Sequence, residues 1–194
     1  MKWATKSSKV LLTNPYFTVR KDQYTDSKGV DREYLYLSGL DGVIIVPIRV
    51  NKETNQVSYI MVEQYRYPTG DKQIEFPKGG LHAGEDKEAG ARRELLEEVG
   101  LEAKWMKFMH SFYPEVGRDT SKISVYLALV DGEPSTENLE PSEIGSELRP
   151  VEVSSDELIQ MIKNNEIRDG HTLAALSSVM LQSEESKKYF ASFE

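Results

Sequence analysis

Apolar and polar residues alternate through the first half of the chain in the pattern of β-strands. Phe17 to Tyr24 alternates, and a turn over Asp26 to Gly29 leads into the run Glu33 to Leu37, which is rich in β-forming residues. After a glycine break, Val43 to Ile48 is apolar almost throughout and predicts a buried strand. Pro47 within that run indicates an edge strand or a bulge, because proline donates no hydrogen bond.

The remaining segments alternate between strand and helix patterns. The expected strands are Val57 to Val62, Gln73 to Phe76, Ala103 to Phe112 and Ile123 to Val130. The expected helices are Glu85 to Val99, ended by Gly100, one after a capping signal at Ser154 to Glu157, and one over Thr172 to Leu181. This order predicts an α+β or mixed α/β fold in which helices cover a sheet.

Composition narrows the possible functions. The chain has 194 residues, a net charge of −8 and no cysteine, which excludes thiolate zinc sites, iron–sulfur clusters and thiol nucleophiles. An acidic chain without a basic patch is not expected to bind nucleic acid. The longest apolar run is too short for a membrane span, and the N-terminus lacks the apolar core of a signal peptide. We therefore expect a soluble, cytoplasmic protein.

The predicted helix that begins near Glu85 concentrates negative charge on one face. Glu94, Glu97 and Glu98 fall within about 100° of arc. Apolar side chains, expected to pack on a sheet, occupy the opposite arc: Leu95, Leu96 and Val99. Arg93 lies one turn before Glu97 and is placed to pair with it. Clustered acids are either a solvated helix face or a site for hard divalent cations, which prefer carboxylate oxygens.

Residue spacing around this helix favours the second interpretation. The sequence fits the pattern G-x5-E-x7-R-E-U-x-E-E-x-G-U, where U is bulky and apolar. The nine fixed positions are Gly79, Glu85, Arg93, Glu94, Leu95, Glu97, Glu98, Gly100 and Leu101. This pattern is the Nudix box, and the chain therefore resembles the Nudix hydrolases.

The resemblance implies an α/β/α sandwich and metal-dependent hydrolysis of a nucleoside diphosphate derivative. By position, Glu94 and Glu98 would be the principal ligands of Mg²⁺ or Mn²⁺, with Glu97 as a supporting catalytic residue. The backbone carbonyl of Lys78 resembles a further ligand, and Glu85 would lie outside the direct ligands or near an additional metal. Such a metal would let an acidic protein hold an anionic substrate.

Two segments before the box resemble the ADP-ribose and nucleotide-sugar diphosphatases: Glu63 to Arg66 and Glu75 to Gly79. The resemblance implies substrate contacts from Gln64, Arg66 and Glu75. Tyr113 to Asp119 departs from the Ser-Pro-Gly-like segment of that subgroup, which favours a nucleotide-sugar hydrolase of broader range. ADP-ribose and GDP-mannose are the representative substrates.

In these relatives the catalytic base often comes from a loop beyond the box. The loop Asp131 to Pro150 carries several acids, of which we favour Glu140 and then Glu143, because they lie mid-loop where reach is greatest. The other acids considered are Glu133, Glu137 and Glu147.

The N-terminal strands resemble those that pair between subunits in ADP-ribose diphosphatases. We therefore expect residues 1–40 to form a β segment that dimerises, residues 41–194 to form the Nudix catalytic domain, and the protein to be a homodimer. Tyr16 and Phe17 are candidates to stack on the nucleotide base, although Phe17 equally suits a hydrophobic core.

Two other functions remain open. One is a Nudix hydrolase of dinucleoside polyphosphates or capped RNA, against which the acidic charge and the Gln64–Arg66 segment argue. The other is a non-catalytic Nudix domain that senses a nucleotide sugar, but such a domain is expected to lose box acids that are intact here.

Overall fold

The computed structural model describes residues 3–139, 145 and 147–182. These residues separate into two compact units, residues 3–41 with 112–123 and residues 42–111 with 124–182. Among the described residues, no helix is both long and apolar enough to cross a lipid bilayer.

The first unit is an antiparallel sheet of three strands, in the order β1 (Ala4–Thr13), β2 (Phe17–Thr25) and β3 (Asp31–Gly39). The expected turn between β2 and β3 is present, with Gly29 at a φ of 83°. β1 was not predicted, because its residues are exposed along the whole strand and show no strict alternation.

Residues 112–123 belong to the same unit although they lie far along the chain. Leu37 of β3 donates its backbone N–H to Arg118 O at 2.7 Å and accepts from Thr120 N at 3.2 Å. The Tyr34 hydroxyl donates to Gly117 O at 2.6 Å. Backbone and side-chain hydrogen bonds together therefore fasten this loop to β3.

The second unit is built on a seven-stranded sheet. Its strands are β4 (Gly42–Val50), β5 (Val57–Arg66), β6 (Asp71–Glu75), β7 (Lys78–Gly80), β8 (Ala103–Phe112), β9 (Ile123–Val130) and β10 (Arg149–Ser154). The main order is β10-β5-β4-β9-β8, with β6 paired to β5 and β7 paired to β4. β10 was not predicted, because it lies in a polar region and pairs with β5, far away in sequence.

β4 is a central strand, so the expectation of an edge at Pro47 was wrong. The pairing of β4 with β7 ends at Ile44, and its pairing with β5 begins at Ile48. Pro47 lies between the two ladders, where its missing N–H disrupts neither set of hydrogen bonds.

Within the part of the chain that the structure describes, three helices cover this sheet: α1 (Lys87–Val99), α2 (Ser155–Lys163) and α3 (Gly170–Leu181). Both α1 and α3 contact β4, which explains why its residues from Gly42 to Ile48 are all buried. Ala91, Leu95 and Val99 of α1 join the hydrophobic core. Leu96, expected in that core, is instead 37% exposed, because it lies a further 100° around the helix from Leu95.

Local capping signals fix the ends of the helices. Ser154 and Glu157 form the predicted capping box of α2. Gly100 ends α1 in the left-handed conformation, with a φ of 69°, and its N–H donates to Leu96 O at 3.0 Å. α1 begins later than predicted, because Asp86 is its N-cap and leaves Glu85 outside the helix.

Candidate active site

Glu85 lies in the turn that leads into α1. Its backbone N–H donates to His82 O at 3.0 Å, and its Oε2 accepts from His82 N at 2.8 Å. Asp86, the next residue, accepts hydrogen bonds from the backbone N–H groups of Glu88 and Ala89 and so starts the helix. The turn thus directs the Glu85 carboxylate back toward the first half of α1.

Arg93 joins three of the box acids. Its Nε donates to Glu85 Oε1 at 2.9 Å, and its Nη1 donates to Glu94 Oε1 at 2.8 Å and to Glu97 Oε2 at 2.7 Å. Its Nη2 also donates to Gly80 O at 2.9 Å. Hydrogen bonds from Arg93 lower the pKa of Glu85 to about 2, and the bonds that Arg93 donates to the acids, first to Glu85, raise its own pKa. The predicted pairing of Arg93 with Glu97 is confirmed.

The segment before the box lies directly against α1. Lys78 donates its backbone N–H to Glu98 Oε2 at 3.0 Å. A methyl group at Gly79 would overlap the carboxyl group of Glu94, whereas one at Gly80 would meet no atom within 4 Å. Only glycine therefore lets the backbone at position 79 approach Glu94 this closely.

Arg66 and Glu75 form a forked ion pair beside this segment. Arg66 Nε donates to Glu75 Oε1 at 3.0 Å, and Nη2 donates to Oε2 at 2.6 Å. The Lys78 ammonium group also contacts Glu75. Burial disfavours the charged form of Glu75, but the hydrogen bonds from Arg66 and the charge of Lys78 outweigh it and hold its pKa below the ordinary value. Glu75 therefore orients both cations.

Asp169, the N-cap of α3, extends this polar network. Its Oδ2 accepts from Lys78 Nζ at 3.1 Å, from Thr172 N at 2.9 Å and from Thr172 Oγ1 at 2.8 Å. Thr172 Oγ1 in turn accepts from Phe76 N at 3.0 Å. Burial disfavours the charged form of Asp169, but hydrogen bonding to His171, the charge of Lys78 and the bonds from Thr172 prevail and hold its pKa well below the ordinary value.

The acids of α1 suit the divalent cation that the sequence resemblance implies. Glu94 and Glu98 lie one turn apart on one helix face and are only 5% and 2% exposed. Their carboxylate oxygens are the donors that hard divalent ions prefer, and such an ion would add to the charge compensation that Arg93 already gives Glu94. Within residues 3–139, 145 and 147–182, no three acidic or histidine side chains already form a metal site. The residues therefore fit such an ion by donor chemistry and burial.

The other predicted site residues lie in different surroundings. Gln64 is buried in β5, with 4% exposed. Tyr16 and Phe17 are exposed and belong to the first unit. Glu140 and Glu143, the candidate bases, lie outside the described residues.

Asp169 and Thr172 were not among the predicted site residues. The sequence contains one local signal, since aspartate is a preferred N-cap residue at the start of a helix. That signal predicts only the helix end. The contacts with Phe76 and Lys78 join positions more than 90 residues apart and become visible only in the folded chain.

Known proteins resemble this chain in sequence and in fold. A model of the NUDIX domain matches residues 39–176. The crystal structure of an ADP compounds hydrolase superimposes with a TM-score of 0.77 over 96% of this chain and 96% of that chain, at 20% sequence identity. This likeness confirms the expected mixed α+β fold.

Two bacterial relatives are similar in sequence. The methanol dehydrogenase activator of Bacillus methanolicus is 36% identical over 129 residues, which cover 66% of this chain and 69% of that protein. The ADP-ribose pyrophosphatase of Bacillus subtilis is 30% identical over 135 residues, with the same shares of the two chains.

Proposed function

The chain belongs to the Nudix family of hydrolases, enzymes that act on pyrophosphate bonds, and from this membership we propose that it cleaves an ADP-sugar-like nucleotide in a metal-dependent reaction. The substrate class is the nucleoside diphosphate sugars, with ADP-ribose first and GDP-mannose next. The products are a nucleoside monophosphate and a sugar phosphate. The observation that carries this proposal is the pair of buried carboxylates, Glu94 and Glu98, packed against the glycine segment that precedes α1.

Mg²⁺ or Mn²⁺ is the proposed cofactor, held by Glu94, Glu98 and the backbone carbonyl of Lys78. When bound, the ion neutralises the diphosphate and lowers the pKa of the attacking water. Glu85 is not proposed as a direct ligand of the ion, because Arg93 donates hydrogen bonds to both of its carboxylate oxygens. The close approach of Gly79 to Glu94 supports this arrangement, since it brings backbone next to a proposed ligand.

Arg66 is proposed to bind the diphosphate, with its guanidinium oriented by Glu75. A guanidinium offers several donors in a fixed plane, so Arg66 keeps donors for phosphate while Nε and Nη2 contact Glu75. Gln64, which is buried in β5, is also proposed to contact the substrate.

Proton transfer is assigned to carboxylates. Glu140 is the first candidate for the general base and Glu143 the second, with Glu97 supporting the reaction through its ion pair with Arg93. A carboxylate serves as a base when it reaches the attacking water within hydrogen-bond distance. Exchanging each of the two loop acids for glutamine separates the candidates, because only the true base is required for turnover.

We also propose a homodimer in which residues 1–40 form the contact and residues 41–194 form the catalytic domain. The support is β1, whose apolar residues Val10, Leu11 and Leu12 are 48%, 47% and 52% exposed. A long edge strand with exposed apolar side chains is a natural surface for pairing with another chain.

A hydrolysis panel tests the proposed reaction. ADP-ribose, GDP-mannose, UDP-sugars, NADH and diadenosine polyphosphates are incubated with Mg²⁺ or Mn²⁺, and the products are identified by chromatography. We expect ADP-ribose to yield AMP and ribose phosphate. Glu98→Gln should lower kcat by about 100-fold or more, since the metal contributes several kcal/mol to the transition state. Glu102→Gln, which changes an exposed glutamate just after α1, is the matched control.

Two outcomes would refute the proposal. One is no turnover of any compound although Mn²⁺ binds, which would favour a sensor of nucleotide sugars. The other is full activity of Glu98→Gln, which would remove Glu98 from the metal site.

A further inference from the structure

We propose that Asp169 and Thr172, at the start of α3, are positioning residues for the cation site. They act by fixing the backbone from Phe76 to Lys78, and Lys78 supplies the carbonyl proposed as a metal ligand. The inference rests on the proposed function for the identity of the bound ion, but its test measures ion binding directly.

Thr172 fixes the beginning of this backbone segment. Its side chain is completely buried, with 0% exposed. Its hydroxyl oxygen accepts from Phe76 N at 3.0 Å while the hydroxyl donates to Asp169 Oδ2 at 2.8 Å. Because the Thr172 hydroxyl accepts one hydrogen bond and donates another, its orientation is fixed. The hydroxyl therefore holds the backbone N–H of Phe76 close to the start of α3.

Asp169 fixes the end of the segment through a charge. Its Oδ2 accepts from Lys78 Nζ at 3.1 Å, and both side chains are largely buried, 14% and 17% exposed. Glu75 contacts the same ammonium group from β6. Lys78 therefore contacts two carboxylates, one on β6 and one at the start of α3. These contacts restrict its side chain and so help to hold its backbone in place.

The backbone of the segment is tied down at three successive residues. Phe76 N donates to Thr172, Pro77 O accepts from Ile45 N at 2.9 Å, and Lys78 N donates to Glu98 Oε2 at 3.0 Å. The contact with Ile45 ties the segment to β4, and the contact with Glu98 ties it to α1. The contacts with Thr172 and Asp169 add α3 as the third support.

Such outer contacts matter because a metal site needs its ligands at nearly fixed positions. Loss of a hydrogen-bond partner of a metal ligand lowers metal affinity by about 10-fold to 100-fold. Thr172 accepts a hydrogen bond from Phe76 N, and Asp169 accepts one from Lys78 Nζ, so their effect would pass through the Phe76–Lys78 segment.

Mn²⁺ binding to the full chain without substrate tests the inference, measured by electron paramagnetic resonance of the free ion. We expect Thr172→Val and Asp169→Asn each to weaken Mn²⁺ binding by about 10-fold. At saturating Mn²⁺, the KM for ADP-ribose should stay near its original value while kcat falls. Ser177→Ala is the matched control on the same helix, because that hydroxyl only donates to Leu173 O within α3, at 2.8 Å.

A second comparison separates positioning from general destabilisation. Lys78→Gln removes the ammonium group through which Asp169 acts, so adding Asp169→Asn to it should weaken Mn²⁺ binding no further. If the two changes weaken Mn²⁺ binding additively, Asp169 does not act through the Lys78 ammonium group. Thermal melting shows whether Thr172→Val remains folded, and if it does not, Asp169→Asn alone decides.

Unchanged Mn²⁺ affinity in folded Asp169→Asn would overturn the inference. The protein could hydrolyse none of the panel compounds while its variants still bind Mn²⁺ more weakly. That result would support the inference and refute the proposed reaction. The two failures are therefore distinguishable.

Discussion

The backbone N–H of Lys78 donates to Oε2 of Glu98 at 3.0 Å and so joins the segment before the box to the penultimate residue of α1. Both residues are proposed to bind the same ion, one through its carbonyl and one through its carboxylate. Because this hydrogen bond already orients the Glu98 carboxylate, the ion would meet ligands that are partly organised before it binds.

Gly79→Ala should disrupt the cation site. The new methyl group would overlap the Glu94 carboxyl group, which must then move. We expect Mn²⁺ affinity to fall by at least about 10-fold, measured by titration calorimetry. Gly80→Ala is the comparison, since a methyl group there has open space and should be clearly less harmful. Equal affinities for the two variants would argue against a close approach at position 79.

Glu85 should stabilise the fold in a pH-dependent way. Its pKa is lowered from 4.5 to about 2, chiefly by hydrogen bonds from Arg93. A carboxyl group whose pKa is lowered in the folded state stabilises it fully above the unfolded value, and this contribution is lost as the pH falls from 4.5 toward 2. The free energy of unfolding of Glu85→Gln, measured with urea and a chelator, should therefore fall below that of the unchanged protein at neutral pH.

The two unfolding curves should converge as the pH is lowered through this window. Glu102→Gln, which removes an exposed carboxylate, should show a smaller difference at neutral pH. A gap between the Glu85 variant and the unchanged protein that stays constant down to low pH would contradict the assigned ion pair.

Arg66→Lys should impair substrate binding even though the positive charge remains. A lysine cannot form the fork that Arg66 makes with Glu75 and has no planar face of donors left for phosphate. We expect the KM for ADP-ribose to rise by about 10-fold or more, since a hydrogen bond to a charged group contributes about 1.5–3 kcal/mol. Steady-state kinetics measure this change.

Arg92→Lys is the control for Arg66. It alters an exposed ion pair with Glu88 on α1 and should leave the KM nearly unchanged. If both substitutions change the KM equally, Arg66 does not bind the diphosphate.

Leu12→Arg should weaken the proposed dimer. A charge placed in a buried contact without a partner costs about 3 kcal/mol or more, which corresponds to a dissociation constant raised by about 100-fold or more. Light scattering after size-exclusion chromatography reports the change in mass. Met180→Arg, at a similarly exposed apolar residue of α3, should leave the mass unchanged. A chain that is monomeric before any substitution would exclude the dimer.

Sequence patterns predicted the elements whose signals are local. β4 follows from its apolar run, and the end of α1 follows from Gly100, because a glycine adopts the left-handed conformation at little cost. The sequence predicts that this helix begins near Glu85. The fold instead begins α1 after Asp86, whose side chain accepts the first free N–H groups.

What the sequence did not reveal depends on contacts between distant residues. β10 pairs with β5, far away in sequence, and its own signal is only the short alternation Val151-Glu152-Val153 after a long polar segment. The hydrogen bonds of Thr172 with Phe76 and of Asp169 with Lys78 likewise join α3 to a segment almost half the chain away. Leu96 is predicted to pack on the sheet from its position on the apolar arc of the helix, but it is 37% exposed in the structure.

The first unit is built from two separate stretches of the chain, and this affects which shortened versions of the protein can keep their structure. Residues 112–123 depend on β3 through the bonds of Leu37 and Tyr34, although the whole of β4 to α1 lies between them in sequence. Cutting the chain before Gly42 would therefore remove the hydrogen-bond partners that β3 gives to this loop. The N-terminal sheet therefore supports residues 112–123, and removing the sheet would remove that support from a loop later in the chain.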